Sequence, residues 1–261
     1  MTIYWQRAPR AAQDLPPSQA ERAARLQLAA AYRIFDHLGW TEMIFNHITV
    51  RVPAPDGSDE RLFLINPFGL HYREITAASL VLIDIDGNPV RESTWPVNRA
   101  GFVIHSALHG ALAEAHCVMH THTTTGMAVA SLKEGLSPTN FYAAQLHGQV
   151  AYHDFEGITV DPAEKARLVA DVGDKRAVIL RNHGLLAWGP SVPEAFMMLW
   201  TLQRACDVQV VAASAGALNH IRPEAFEQAV RESGPGEKRV CEDVFAALQR
   251  IVDAKDPSYR N

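Results

Sequence analysis

Val118-Met119-His120-Thr121-His122 is the stretch on which the reading of this chain turns. It is apolar up to the first histidine and reads as a buried strand that ends in two imidazoles. Strand side chains alternate, so His120 and His122 point one way and Thr121 the other. Two imidazoles on one face are half of a metal site. The later run Leu180-Arg181-Asn182-His183-Gly184 also ends a β-rich stretch and offers a third. Three neutral imidazoles with an open coordination position suit a catalytic divalent metal. We expect one ion per chain, zinc first, with iron, manganese or cobalt as the other candidates. The competing reading is three separate histidines, each satisfied by its own neighbours.

Outward from this strand, helices and strands alternate. Ser18 and Glu21 have capping-box spacing, and the helix they open runs to about His37, where Gly39 stops it. Its stripe is Ala24, Leu28, Ala31 and Phe35. Ile48, Val50 and Val52 alternate with polar residues, as in a half-buried strand. Further strands are expected over 61–65 and 81–85, with Asp86-Gly87-Asn88 turning into another. A helix is expected over 101–112 and a second from Thr123 to Leu132. Val150–Tyr152 reads as a short strand, and Asp161-Pro162 as the opening of a helix through Val169. Strands at 178–180 and 185–188 flank the Asn182-His183-Gly184 turn. Ser191 and Glu194 repeat the capping-box spacing ahead of a long helix to about Ala215, with Gly216 as a left-handed cap. The charged tail after Arg222-Pro223 reads as helical, with Val244, Leu248 and Ile251 as its apolar spacing. We see no repeat and no composition break. The expectation is an arm over 1–17 and a single α/β domain over 18–261 with a C-terminal helical extension. Its sheet is mixed or antiparallel, with helices on its faces.

Composition narrows the function. The chain has 261 residues, 48% of them hydrophobic, and a formal net charge of -5. No basic stripe marks a nucleic-acid footprint. No run has the length of a membrane span or of a signal-peptide core. Cys117, Cys206 and Cys241 lie far apart, which fits a reduced cytoplasmic protein. The expected partner is a small molecule, with no nucleic acid and no membrane.

Five segments together resemble the class II aldolase/adducin family. They are Phe45-Asn46-His47-Ile48-Thr49-Val50-Arg51, Asn66-Pro67-Phe68-Gly69, Ala100-Gly101-Phe102-Val103-Ile104-His105, Val118–His122 and Arg181-Asn182-His183-Gly184, in family order over roughly 20–215. The resemblance implies a nine-stranded, three-layer α/β/α sandwich with a mixed, largely antiparallel central sheet. It implies that His120, His122 and His183 bind the metal, and that a homotetramer carries its sites at subunit interfaces. Asn46 matches an asparagine that helps hold phosphate in the sugar-phosphate members. Gly69 matches a glycine of a second anion loop, and Tyr142 a tyrosine that reaches a neighbour's site.

The departures redirect the substrate. Where the aldolases carry Pro-Ser-Ser-Glu, this chain has Asn98-Arg99-Ala100-Gly101, so the family's acid/base glutamate is missing. Phe45 and His47 replace the small neighbours of the family asparagine and Phe68 fills the second loop, whereas phosphate pockets rely on small residues, backbone N–H groups and hydroxyls. Arg99 suits a planar carboxylate. We therefore expect a small hydroxy- or keto-carboxylate, or an aromatic one, rather than a sugar phosphate, with Asn46, Phe68, Gly69 and Arg99 binding it. A tri-histidine metal favours retro-aldol cleavage or decarboxylation, both of which leave an enolate-like charge to stabilise. His47, Tyr142 and His147 are the candidates for the missing acid/base. His105 and His109, four apart on a helix, have metal-pair spacing but read better as packed or hydrogen-bonding groups. His71, His116, His153 and His220 carry no pattern. Two alternatives stay open: a non-haem metal-dependent oxygenase, and a non-catalytic assembly module like the adducin head.

Overall fold

A computed structural model describes Tyr4–Trp5 and residues 16–54, 57–157, 163–233 and 237–261, with the side chains of 4–5, 99–101 and 233 left aside. In chain order the elements are β1 (Tyr4–Trp5), α1 (Gln19–Leu38), β2 (His47–Val52), β3 (Leu62–Ile65), β4 (Val81–Asp84), β5 (Val97–Asn98) and α2 (Arg99–Ala111). They continue with β6 (Cys117–Thr121), α3 (Thr124–Ala130), α4 (Phe141–Gln145), β7 (Val150–His153), α5 (Glu164–Val172), β8 (Ala177–Leu180) and β9 (Gly184–Gly189). Three helices follow: α6 (Val192–Ala215), α7 (Pro223–Ser233) and α8 (Lys238–Lys255).

Seven strands form one sheet in the order β4-β3-β2-β6-β9-β8-β7. Every neighbouring pair is antiparallel except β7–β8. The fold is thus α/β with a mixed, largely antiparallel sheet, as expected. The nine strands described do not form one sandwich layer. β1 and β5 make a separate two-stranded ribbon, with Tyr4 opposite Asn98. Part of the N-terminal arm is thereby docked as a strand.

Alternation sorts the side chains into layers. Ile48, Val50, Cys117, Met119 and Ile179 face α1, α6 and α8, where Leu28, Phe35, Phe196, Leu199, Phe245 and Val252 complete the main core. Val118, Val178, Leu180 and Leu186 face the other way, against Ile104 and Leu108 of α2 and Leu168 and Val172 of α5. Helices therefore cover both faces. This is why β2 and β6 are buried almost throughout, although the sequence pattern of β2 suggested a half-solvated strand.

Several local expectations change. Ser18 does accept from the Glu21 N–H at 3.1 Å, but the Glu21 carboxylate does not return to the cap. It is buried and bound by Arg25 and Arg91, so a buried ion cluster replaces the reciprocal half of the box. Asp86-Gly87-Asn88 turns the chain into an isolated bridge, Ile83 to Pro89, not a strand. Gly216 has φ 149 and ψ -160, which is not the left-handed helical cap. The Asp161-Pro162 helix start lies outside the described residues, and α5 begins at Glu164. In α8 the core positions are Cys241, Phe245 and Val252; Ile251 is exposed. The tail is knitted into the domain: beyond α8 a short 3-10 turn buries Tyr259, and its backbone accepts from the Ala77 N–H at 2.8 Å.

Candidate metal centre

The three histidines converge. His120 lies in β6, His122 one residue past its end, and His183 in the turn joining β8 to β9. One ligand nitrogen from each lies within 4.8 Å of the others. Ring centroids are 4.5 Å apart for His120–His122, 4.8 Å for His120–His183 and 4.9 Å for His122–His183.

Two backbone features bring His183 in. Asn182 takes φ 56, a left-handed conformation that asparagine tolerates better than most residues and that closes the turn tightly. Gly184 then lies against the end of β6. A Cβ at this position would meet the Thr121 carbonyl at 2.4 Å and the His122 and His120 rings at 3.0 and 3.2 Å. Only a residue without a side chain allows that approach.

The donor set fits a divalent ion. His120 Nδ1 lies 2.8 Å from the Leu185 carbonyl, which can only accept, so Nδ1 carries the proton and Nε2 is bare. His120 Nε2 faces His122 Nε2 at 2.7 Å, two ligand atoms aimed at the same space. Burial holds His120 well below the usual imidazole range, and burial with the His122 neighbour brings His183 down to about 4. Neutral imidazoles with one oriented nitrogen are the state that binds a metal.

Around this centre β2 contributes two more groups. His47 pairs with His120 across the β2–β6 ladder, and their rings lie 5.2 Å apart. Asn46, just before it, has φ 68; its side-chain amide is buried, and neither its oxygen nor its nitrogen has a hydrogen-bond partner among the described residues. A buried amide without partners is costly, and ligand binding is one way to satisfy it. Nearby, Phe45 and Phe68 form an aromatic pair at 6.4 Å, and Gly69, at φ 113, lies against the Trp95 ring. Arg99 and Gly101 lie in the first turn of α2. His105 and His109 are not a metal pair: His105 bonds His47 and Thr49, and His109 bonds Thr49 and the Ala115 carbonyl.

Two candidates lie elsewhere within the chain. Tyr142 packs edge-on against Trp200, with Arg204 over its ring, and His147 is exposed and stacks on Phe226. None of these contacts reaches the three imidazoles. His153 carries no pattern in the sequence. It is buried, bonds Asp171 at 2.7 Å, and lines a small pocket with His183, Phe155 and Glu164. Thr49 was likewise unremarked, although it sits two residues after His47 on the same strand face.

The matching family model is the Class II Aldolase and Adducin N-terminal domain, over residues 26–210. The chain belongs to the class II aldolase/adducin family. A Caulobacter vibrioides protein named for the class 2 aldolases is 43% identical over 244 residues, covering 93% of both chains. Alpha-adducin of Rattus norvegicus is 41% identical over 94% of this chain, which spans 35% of that protein. Among solved structures, an aldolase II superfamily protein from Pseudomonas syringae superposes with a TM-score of 0.87 at 43% identity, covering 94% of this chain and 98% of that one. The L-fuculose 1-phosphate aldolase of Glaciozyma antarctica superposes at 0.80 with 28% identity, covering 94% and 97%. Family membership supports an aldolase-type lyase that uses a divalent metal. Among the described residues, no helix is long and apolar enough to cross a membrane.

Proposed function

We propose that this chain is a divalent-metal-dependent carbon–carbon lyase, of the aldolase or decarboxylase type. Its substrate is a small hydroxy- or keto-carboxylate, or an aromatic carboxylate, and not a sugar phosphate. The observation that carries this reading is the convergence of His120, His122 and His183 to within 4.8 Å, made possible by Gly184. We assign these three as ligands of one ion per chain, with zinc as the first choice for three imidazoles.

A bound divalent ion would supply Lewis acidity, stabilising the negative charge that develops as the C–C bond breaks. The chain's own groups do the rest. Asn46 offers a buried amide NH2 and carbonyl oxygen, which orient a polar substrate group. Phe45, Phe68 and the Trp95 ring beside Gly69 supply apolar walls, consistent with a bulkier substrate than a phosphate. Arg99, in the first turn of α2, is assigned to the carboxylate because a planar guanidinium suits one. His47, beside His120, exchanges the proton that the missing glutamate would have handled. Within the chain the rings of Tyr142 and His147 meet Trp200, Arg204 and Phe226, and we assign their part in the reaction to the site of a neighbouring copy in a tetramer.

The similarity to alpha-adducin supports a second reading, a non-catalytic assembly module. Elemental analysis of protein purified without chelators or a His-tag separates the two. Near one equivalent of zinc per chain, lost in His122→Ala with the fold intact, supports the lyase. No metal, and no metal-induced rise in Tm, supports the module. Near one equivalent of iron with oxygen uptake would replace lyase chemistry by an oxygenase.

A further inference from the structure

β2 turns His47 and Thr49 toward α2, where His105 and His109 stand one helical turn apart. Four contacts join these groups in a line. His109 Nδ1 lies 2.6 Å from the Ala115 carbonyl, and its Nε2 lies 2.7 Å from Thr49 Oγ1. Thr49 Oγ1 lies 2.7 Å from His105 Nδ1, and His105 Nε2 lies 2.8 Å from His47 Nδ1. All four side chains are buried.

For neutral rings, only one placement of protons satisfies all four contacts. A neutral imidazole has one donor nitrogen and one acceptor. The Ala115 carbonyl only accepts, so His109 is protonated on Nδ1 and bare on Nε2. The single Thr49 hydroxyl proton therefore goes to His109. Thr49 Oγ1 then accepts from His105 Nδ1–H, which leaves His105 Nε2 bare. That nitrogen accepts from His47 Nδ1–H. A direction set by one backbone carbonyl thus runs through to His47 and leaves its Nε2 with a lone pair. Burial favours the neutral form of each ring, taking His109 down to about 3.

We propose that Thr49, His105 and His109 are positioning residues that hold His47 in its Nδ1–H tautomer, so that a lone pair and not an N–H is offered beside His120. His47 then starts the reaction as a proton acceptor. Its use in the reaction rests on the lyase reading above; its tautomer does not. The line orients and does not conduct. Passing a proton from His47 through to His109 would leave an imidazolium next to Arg51, whose guanidinium donates to the His109 carbonyl at 2.5 Å and opposes that charge.

The test is neutron diffraction on deuterium-exchanged, metal-free crystals of the wild type, Thr49→Ser and Thr49→Val, with zinc content per chain measured on the same preparations after zinc loading. The wild type and Thr49→Ser are expected to show deuterium on His47 Nδ1 and none on Nε2. In Thr49→Val, His105 Nδ1 loses its acceptor, and deuterium is expected to appear on His47 Nε2. Deuterium on Nε2 in the wild type would overturn the proposal, as would a Thr49→Val map identical to the wild type. Should Thr49→Val not fold, the wild-type map decides alone. A chain that takes up no zinc but shows the expected deuterium pattern would overturn the lyase reading and leave the tautomer assignment standing.

Discussion

His47 and His120 sit directly opposite each other across the β2–β6 ladder, with their rings 5.2 Å apart and 31° from parallel. One belongs to the three-histidine cluster proposed to hold the metal; the other is tied away from it, through Nδ1, to His105. Removing His47 is therefore expected to separate binding from turnover. His47→Ala retains zinc near one equivalent per chain, while kcat falls by about 10²–10⁴, the usual contribution of a positioned acid or base. Metal analysis, with turnover on whichever carboxylate a screen identifies, measures both. Loss of zinc in this variant would instead make His47 a ligand.

Gly184 is the second test of the cluster. A Cβ there collides with the Thr121 carbonyl, which is backbone and cannot swing aside. Gly184→Ala is expected to push the β8–β9 turn off β6 and weaken zinc binding at least tenfold, about 1.4 kcal/mol or more. Competition against a chromophoric chelator gives the number.

Asn46 invites a paired substitution. Its left-handed backbone suits glycine as well as asparagine, while alanine there adds about 1–2 kcal/mol of strain. Asn46→Gly is expected to keep the Tm and lose substrate affinity, visible as a raised KM. Asn46→Ala is expected to lose both. A Gly variant with wild-type kinetics would remove Asn46 from the substrate site.

Stability at acid pH follows from His109. Its folded pKa, about 3, lies below the ordinary value of 6.5, so the unfolded chain binds the proton more readily. The stability tied to this ring is fully present above pH 6.5, falls as the pH drops, and is lost by about pH 3. The slope is at most about 1.4 kcal/mol per pH unit. Metal-free wild type is expected to lose Tm steadily between pH 6.5 and 4, and His109→Gln to lose it less steeply. Parallel Tm–pH curves for the two would show that His109 does not titrate on unfolding.

At the far side of α1, Tyr259 is wholly buried between Arg33 and the 77–78 turn. Removing a buried ring of that size costs about 3–5 kcal/mol. At about 2–4 °C per kcal/mol for a chain of this size class, Tyr259→Ala is expected to lower Tm by about 10 °C. Calorimetry checks it.

The central strands, the α/β class and the grouping of His120, His122 and His183 are legible because each rests on a short-range rule. Period-2 alternation put His120 and His122 on one face, and the Asn182-His183-Gly184 turn announced itself by residue type. What escaped notice depends on pairing between distant segments. Thr49 looked like any polar strand residue until β2 lay against α2. Glu21 looked like half of a capping box because nothing local reveals Arg91, which arrives from far along the chain. Ile251 and Val252 are adjacent and equally apolar, and only the packing of α8 on α1 and α6 decides which one is buried. His153 carried no motif; its burial among carboxylates is tertiary in origin.

The division of the proposed ligands between the end of β6 and the β8–β9 turn has a consequence for biogenesis. A newly made chain holds only the His120-Thr121-His122 pair in one local segment, a two-toothed chelate of modest grip. The third tooth arrives when β9 docks on β6, and Gly184 makes that docking close enough. Ion capture at full strength is thus a checkpoint that only the completed sheet can pass.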